Sequence, residues 1–369
     1  MRIRVVSFSL VIVSLFFVVG TLCAQTKPED EEIKVDTDLV EVPIVVSDRL
    51  GKPLLNLKKT SFIVYEDGKP QEIASFSAAS EPFEVALVLD TSGSTLAELP
   101  LIRRAAQNFI ASLRPGDRVS IIAYRALREA GRSNAISEVM IPLTDDRAAL
   151  NKAIDLVQNS FGTPYYDSLV QVAERVFRDP PTERFRGRRA IVALTDGVDS
   201  TSASDFEETK ELVGETGAAV YFIKIDTQEF FEENLLGDCT VSKRFSQSQM
   251  RRYYRKFVAG PKAEKAANFC DLGDFERLAI SKKLYELADT EMKDLSKVSG
   301  GKVFPITDLS EARAAFKQVA DEIGTKYSLG YYSSNERRDG TYRKIRVEVK
   351  GMPPGTIVRS REGYTAPTR

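Results

Sequence analysis

The chain has 369 residues, 43% of them hydrophobic, enough to bury one large core or two smaller ones. Its 52 basic and 53 acidic side chains nearly cancel, so no global field recommends nucleic acid as a partner. Histidine is absent, which excludes Ser-His-Asp hydrolysis, Cys-His proteolysis and His-ligated zinc, and an enzyme is not expected.

At the start, Arg2 and Arg4 precede an apolar run from Val5 to Val19, then "GTLCA" and the polar "QTKPEDEE". This layout predicts a secretory signal peptide over residues 1–24, because the run falls short of the roughly 20 residues that a membrane span needs. Lipidation at Cys23 is not expected, since Gly20 stands where a lipobox has Leu. The chain is then expected to be secreted or periplasmic, and held at a membrane only if the leader is uncleaved. Residues 25–37 read as an acidic linker.

Residues 38–80 predict a β-rich, sandwich-like module. Val42 to Val46, Phe62 to Tyr65 and Ile73 to Phe76 are rich in β-branched and aromatic residues and are separated by the turn signals "DRLGKP" and "EDGKP". From Pro82 to about residue 325 the pattern changes to α/β. Val85 to Leu89, Val119 to Ala123, Ala190 to Leu194 and Ala218 to Ile225 are apolar without interruption, as strands buried on both faces are. Leu99 to Leu113 places Ile102, Ala105, Ala106, Phe109 and Ile110 at helical spacing. Ser204 and Glu207 read as a capping box for the helix leading to Gly217. The expected fold is a doubly wound, mainly parallel, Rossmann-like sheet, with its ligand site at the carboxyl ends of the strands.

Residues from about 228 to 290 interrupt this rhythm and read as an insertion, in which "RRYYRKF" from Arg251 to Phe257 predicts a solvated helix face. Cys239 and Cys270 lie here, and in an exported chain they predict a disulfide. "LSKVSGGKVFPI" then reads as helix, glycine turn and edge strand, and Leu309 to Ile323 as a further helix ended by Gly324. The segment 326–369 is expected to be β: Ile345, Val347 and Val349 share one face, and "TIVRSREGY" offers a hairpin partner. These strands can join either the N-terminal module or the α/β sheet.

The chemistry gathers at strand ends. Asp90 closes the first buried strand and is followed by Ser92 and Ser94, with Gly93 between them. "TDG" puts Asp196 at the end of the strand Ala190 to Leu194, and "FGTPYYDSL" puts Thr163 in a loop before a helix. Two carboxylates and three hydroxyls form an all-oxygen set suited to a hard divalent cation, Mg²⁺ first, with Mn²⁺ or Ca²⁺ as alternatives. Asp167 and Asp199 nearby are expected in turn and capping roles.

Asp-x-Ser-x-Ser, a later Thr and a later Asp in "TDG" together resemble the metal-ion-dependent adhesion site of the von Willebrand factor A domain family, carried here by Asp90, Ser92, Ser94, Thr163 and Asp196. More narrowly, "DGKPQEIASF", "GTPYYDSL", "RRAIVALTDGVDS" and the closing "YSLGYYS", "YRKIRVEV" and "SREGY" resemble secreted von Willebrand factor A-related proteins of acidobacteria. A departure is Phe161, where such proteins often have a second Gly. The resemblance implies direct metal contacts from the serines and threonine, aspartates acting through water, and a coordination position left for a Glu or Asp side chain of a protein partner. The implied function is exported, metal-dependent, adhesion-type protein binding. The alternative is a structural or assembly protein of the cell envelope in which the metal only stabilises the fold. Phosphoryl transfer is disfavoured because "DTSGS" lacks a second Asp two residues after Asp90 and no glycine-rich phosphate loop with a following Lys is present.

Overall fold

In this computed structural model the described residues are 39–79, 81–93, 98–129, 132–240, 242–258 and 268–368. The expected signal peptide and the whole of the linker therefore lie outside the described residues, as does Ser94. The N-terminal strands are β1 (Leu39–Ser47), β2 (Phe62–Glu66), β3 (Lys69–Gln71) and β4 (Ile73–Ser77). β2 and β3 form a tight hairpin whose two central residues, Asp67 and Gly68, both have positive φ (46° and 82°). This is the geometry for which an Asp-Gly pair is suited, because its twist matches that of the strands.

The α/β domain follows, with β5 (Glu84–Leu89), α1 (Leu99–Ser112), β6 (Arg118–Glu129), β7 (Arg132–Thr144), α2 (Arg147–Asp155), α3 (Tyr165–Gln171), β8 (Arg189–Thr195), α4 (Phe206–Glu215) and β9 (Ala219–Ile225). Every residue of β5 and β8 is buried, as their unbroken apolar runs require of central strands covered on both faces. β7 was not anticipated. It is the antiparallel edge strand against β6, and in "RSNAISEVMIPLT" polar residues break up the apolar ones, so the run lacks the unbroken apolar signal of a central strand. The α4 cap also differs from expectation: Asp205, not Ser204, is the N-cap and accepts from Glu208 N at 3.1 Å. Its neighbour Ser204 instead donates its backbone N–H to Asp167.

The insertion contributes α5 (Gln228–Glu233), α6 (Gln247–Phe257) and the 26-residue α7 (Asp274–Ser299). It has its own apolar cluster of Leu235, Phe245, Met250, Phe269, Leu272, Ile280 and Leu284. Cys239 and Cys270 are joined by a disulfide with Cα atoms 5.4 Å apart. The insertion does not stop near residue 290, because α7 runs through that point. Its first half packs in the insertion cluster, while Met292 and Leu295 enter the core beneath the sheet. The "RRYYRKF" run is not simply a solvated face either: Arg252 pairs with Glu291, and Tyr253 and Tyr254 pack on the insertion cluster.

After α7 come the edge strand β10 (Lys302–Ile306) and α8 (Ala312–Gly324). The six-stranded sheet has the order β10-β9-β8-β5-β6-β7, parallel except at β7. α1, α2 and α8 cover one face, with Phe109 and Phe316 in ring contact at 5.3 Å. α3, α4 and α7 cover the other.

The remaining strands, β11 (Tyr327–Tyr332), β12 (Tyr342–Val349), β13 (Ile357–Ser360) and β14 (Gly363–Thr365), all pair with the N-terminal segment or with one another. One sheet has the order β13-β1-β11-β4 and the other β14-β12-β2-β3, and a shared apolar core lies between them. "TIVRSREGY" does not act as a single hairpin partner for β12: its first half, β13, pairs with β1, and only β14 pairs with β12. Inside this sandwich the buried Arg343 and Glu66 form an ion pair at 3.5 Å, and Glu66 also accepts from Tyr331 Oη at 2.8 Å and Tyr364 Oη at 3.0 Å. Among the described residues no helix is long and apolar enough to cross a membrane.

Candidate metal-binding site

β5 delivers Asp90 to the carboxyl end of the sheet, where its backbone N–H extends the ladder to Leu194 O at 3.0 Å. The carboxylate is held at both oxygens: Oδ1 accepts from Ser92 N at 3.0 Å and Oδ2 from Thr195 Oγ1 at 2.7 Å. Thr91 Oγ1 donates to Tyr124 O at 3.2 Å and pins the loop to β6. One strand over, β8 ends at Thr195 and presents Asp196, whose Oδ1 accepts from Val198 N at 2.9 Å and whose Oδ2 accepts from Thr227 Oγ1 at 2.5 Å. The turn between them needs Gly197, which has φ +75° and lies so close to Met292 that an added Cβ would meet Met292 Cε at 2.8 Å.

Thr163 sits between these two loops. Its N–H donates to Ser200 Oγ at 2.8 Å, its carbonyl accepts from Ser200 N at 3.0 Å, and the adjoining Ser160 N–H donates to Thr91 O at 2.8 Å. Asp199 caps the helix that follows, accepting from Tyr165 N at 2.9 Å and Tyr166 N at 3.2 Å. Asp167 accepts from Ala203 N and Ser204 N, so both aspartates act as turn and cap residues. Asp90, Ser92, Thr163 and Asp196 are all buried and lie on loops tied to one another. The two cysteines lie in the insertion and take no part in this face.

Burial raises the pKa of Asp90 above the usual carboxylate range, against the hydrogen bonds from Ser92 and Thr195. Burial raises Asp196 as well, and the charge of Asp90 raises it further, against the hydrogen bonds from Thr227 and Val198 and the charge of Lys224. Asp199 is pushed up to about 6, mainly by burial. Two buried carboxylates that disfavour each other's charge, beside neutral hydroxyls, form an oxygen-donor set that fits a hard divalent cation. Among the described residues no group of three or more His, Cys, Asp or Glu side chains gathers as a metal site, so any site here depends on the hydroxyl residues as well.

Residues that sequence reasoning did not identify also border this face. Thr227 follows β9 and Tyr285 lies on α7, and their side-chain oxygens are 2.9 Å apart. Tyr166 Oη donates to Glu291 Oε2 at 2.7 Å, and Arg252 lies 4.8 Å over the Tyr166 ring. Thr227 stands at a strand end, as Thr195 does, and that position was readable; no local pattern pointed to Tyr285, Glu291 or Arg252.

Residues 85–198 match the family model of the von Willebrand factor type A domain. No curated protein matches the chain. Among solved structures, it is similar to proximal thread matrix protein 1 of the mussel byssus, at 12% identity and TM-score 0.40, over 66% of this chain and 48% of that one. The chain thus spans about half the length of the byssus protein. It is also similar to the conserved hypothetical protein BatB from Bacteroides thetaiotaomicron, at 16% identity and TM-score 0.39 over 65% of this chain and 98% of that one. A von Willebrand factor type A structure from Catenulispora acidiphila is similar at 11% identity and TM-score 0.40, over 91% of this chain and 77% of that one.

Proposed function

We propose, from the von Willebrand factor type A domain at residues 85–198, that this chain is an exported, non-enzymatic protein-binding module. In this reading a divalent cation, Mg²⁺ first, is held by Asp90, Ser92, Ser94, Thr163 and Asp196, and the partner supplies a Glu or Asp side chain. When bound, the cation would supply a Lewis-acidic position for a carboxylate oxygen. The chain's own residues do the rest. Thr195 and Ser92 orient the Asp90 carboxylate, Thr227 and Val198 orient that of Asp196, and Asp199 fixes the start of α3 so that Thr163 stays between the two loops. The hydroxyl residues are uncharged, so direct metal contacts from them leave neutralisation of the cation to two aspartates acting through water, and a coordination position stays open for a partner's carboxylate oxygen.

The observation that carries the reading is the placement of two buried, mutually unfavourable carboxylates on cross-tied loops at the carboxyl ends of adjacent parallel strands. Thermal unfolding with Mg²⁺, with Mn²⁺ and with EDTA tests it. Metal at about 100 times its Kd should stabilise the protein by about 2.7 kcal/mol, and Asp90→Ala should abolish the shift. Absence of binding in a direct titration of the wild-type protein would overturn the metal-dependent reading and favour a structural or assembly role.

A further inference from the structure

The insertion touches the candidate metal face at several points. On α7, Tyr285, Ala288 and Met292 fall at i, i+3 and i+7 and form one stripe. Met292, at its end, packs on Gly197, the residue after Asp196. Tyr285, at its start, reaches Thr227 Oγ1 at 2.9 Å, and Thr227 donates to Asp196 Oδ2 at 2.5 Å. A threonine hydroxyl has one proton, and here it goes to the carboxylate. With Asp196 ionised, as a metal ligand is, Tyr285 is then the donor to Thr227, which gives a directed chain from Tyr285 through Thr227 to Asp196. A second contact reaches the Thr163 loop: Tyr166, in the first turn of α3, donates to Glu291 Oε2 at 2.7 Å, and Arg252 of α6 pairs with the same carboxylate.

We infer that the insertion is a positioning device for the metal site, with Thr227 and Tyr285 setting the orientation of the Asp196 carboxylate. Metal affinity is then governed partly by residues beyond the 85–198 span of the domain match. The inference rests on the reading of Asp196 as a metal-site residue. A group that orients a metal ligand through a hydrogen bond typically changes metal affinity 10–100-fold when removed, and coupling between two sites is reciprocal. Mn²⁺ binding should therefore also tighten the docking of α7.

The test titrates the full chain with Mn²⁺ by calorimetry, comparing wild type, Thr227→Val, Thr227→Ser, Tyr285→Phe and, as a control on the same helix, Phe275→Ala at a residue that is 91% exposed. Thr227→Val should weaken Mn²⁺ binding about tenfold, with Tyr285→Phe weakened in the same direction. Thr227→Ser, which keeps the hydroxyl, and Phe275→Ala should bind as wild type. If wild type binds Mn²⁺ and Thr227→Val and Tyr285→Phe bind equally well, the inference is overturned and the proposed function stands. If wild type itself does not bind, both fall together. Should Thr227→Val fail to fold, Tyr285→Phe and hydrogen exchange of the wild-type protein decide: Mn²⁺ should slow amide exchange across the first half of α7, and unchanged exchange there would overturn the inference.

Discussion

Glu41 on β1 shows how a single buried carboxyl can run against the usual pH dependence of stability. Burial pushes its pKa up from 4.5 to about 7, against a backbone hydrogen bond from Gly187 and the charges of Arg189, Arg186 and Arg361. Between those two values the folded chain holds a proton that the unfolded chain has released, so the stability contributed by this group is lost as pH rises through that window. Replacing the carboxyl with an amide keeps the acceptor and removes the charge. Glu41→Gln should therefore be more stable than wild type at pH 8 by about 3 kcal/mol and nearly equal at pH 4.5. Urea unfolding at the two pH values checks this, and an equal effect at both would show that Glu41 acts through packing instead. At the same scale, Asp90, Thr163 and Asp196 were legible because each stands where an apolar run or a glycine-marked loop ends. Asp199 was legible only as a cap near those motifs; its three-way grip on Tyr165, Tyr166 and Ser202 depends on two loops meeting.

At the scale of elements, α7 joins two apolar cores with one helix. Tight turns and charged stretches flank the insertion, so its existence could be read from the sequence. Its end could not, because a helix that changes partner midway keeps an unbroken helical pattern. The disulfide ties Cys239, before α6, to Cys270, just ahead of α7, closing a separation of 31 residues. On the chain-entropy model such a closure contributes about 3–4 kcal/mol. Replacing both cysteines by serine should therefore loosen the insertion while the main sheet survives. Hydrogen exchange should show faster amides over α6 and the first half of α7, with β5 and β8 still protected. Uniformly faster exchange throughout would mean that the insertion and the sheet unfold as one unit. β7 escaped sequence reading for a related reason: an antiparallel edge strand is only half covered, so its apolar residues are interspersed with polar ones instead of forming the unbroken run of a central strand.

At the scale of the whole molecule, the sandwich is assembled from the two ends of the described chain. β11 lies between β1 and β4, and β12 between β14 and β2. Arg188, at the entrance to β8, links this sandwich to the α/β domain through hydrogen bonds to the carbonyls of Ala78, Pro82 and Lys326 at 3.0, 3.1 and 2.7 Å. Deleting residues 326–369 should expose β1 and β4 to exchange and proteolysis, because their central partner is gone, while the α/β sheet keeps its protection. Survival of β1 protection in the truncated chain would mean that the N-terminal strands hold together without β11.

By itself the sequence determined the α/β character, the positions of the buried strands along the chain, the Asp-Gly turn, and the placement of Asp90 and Asp196 at strand ends and of Thr163 in a loop before a helix. These are all local matters of which residues are apolar and where the chain must turn. Tertiary structure alone decided that the C-terminal strands complete the N-terminal sandwich, that α7 serves two cores, and that Tyr285 and Thr227 stand behind Asp196. Periodicity states which face of an element is buried; what covers that face depends on chain segments far away in sequence, and only the folded chain brings them into contact.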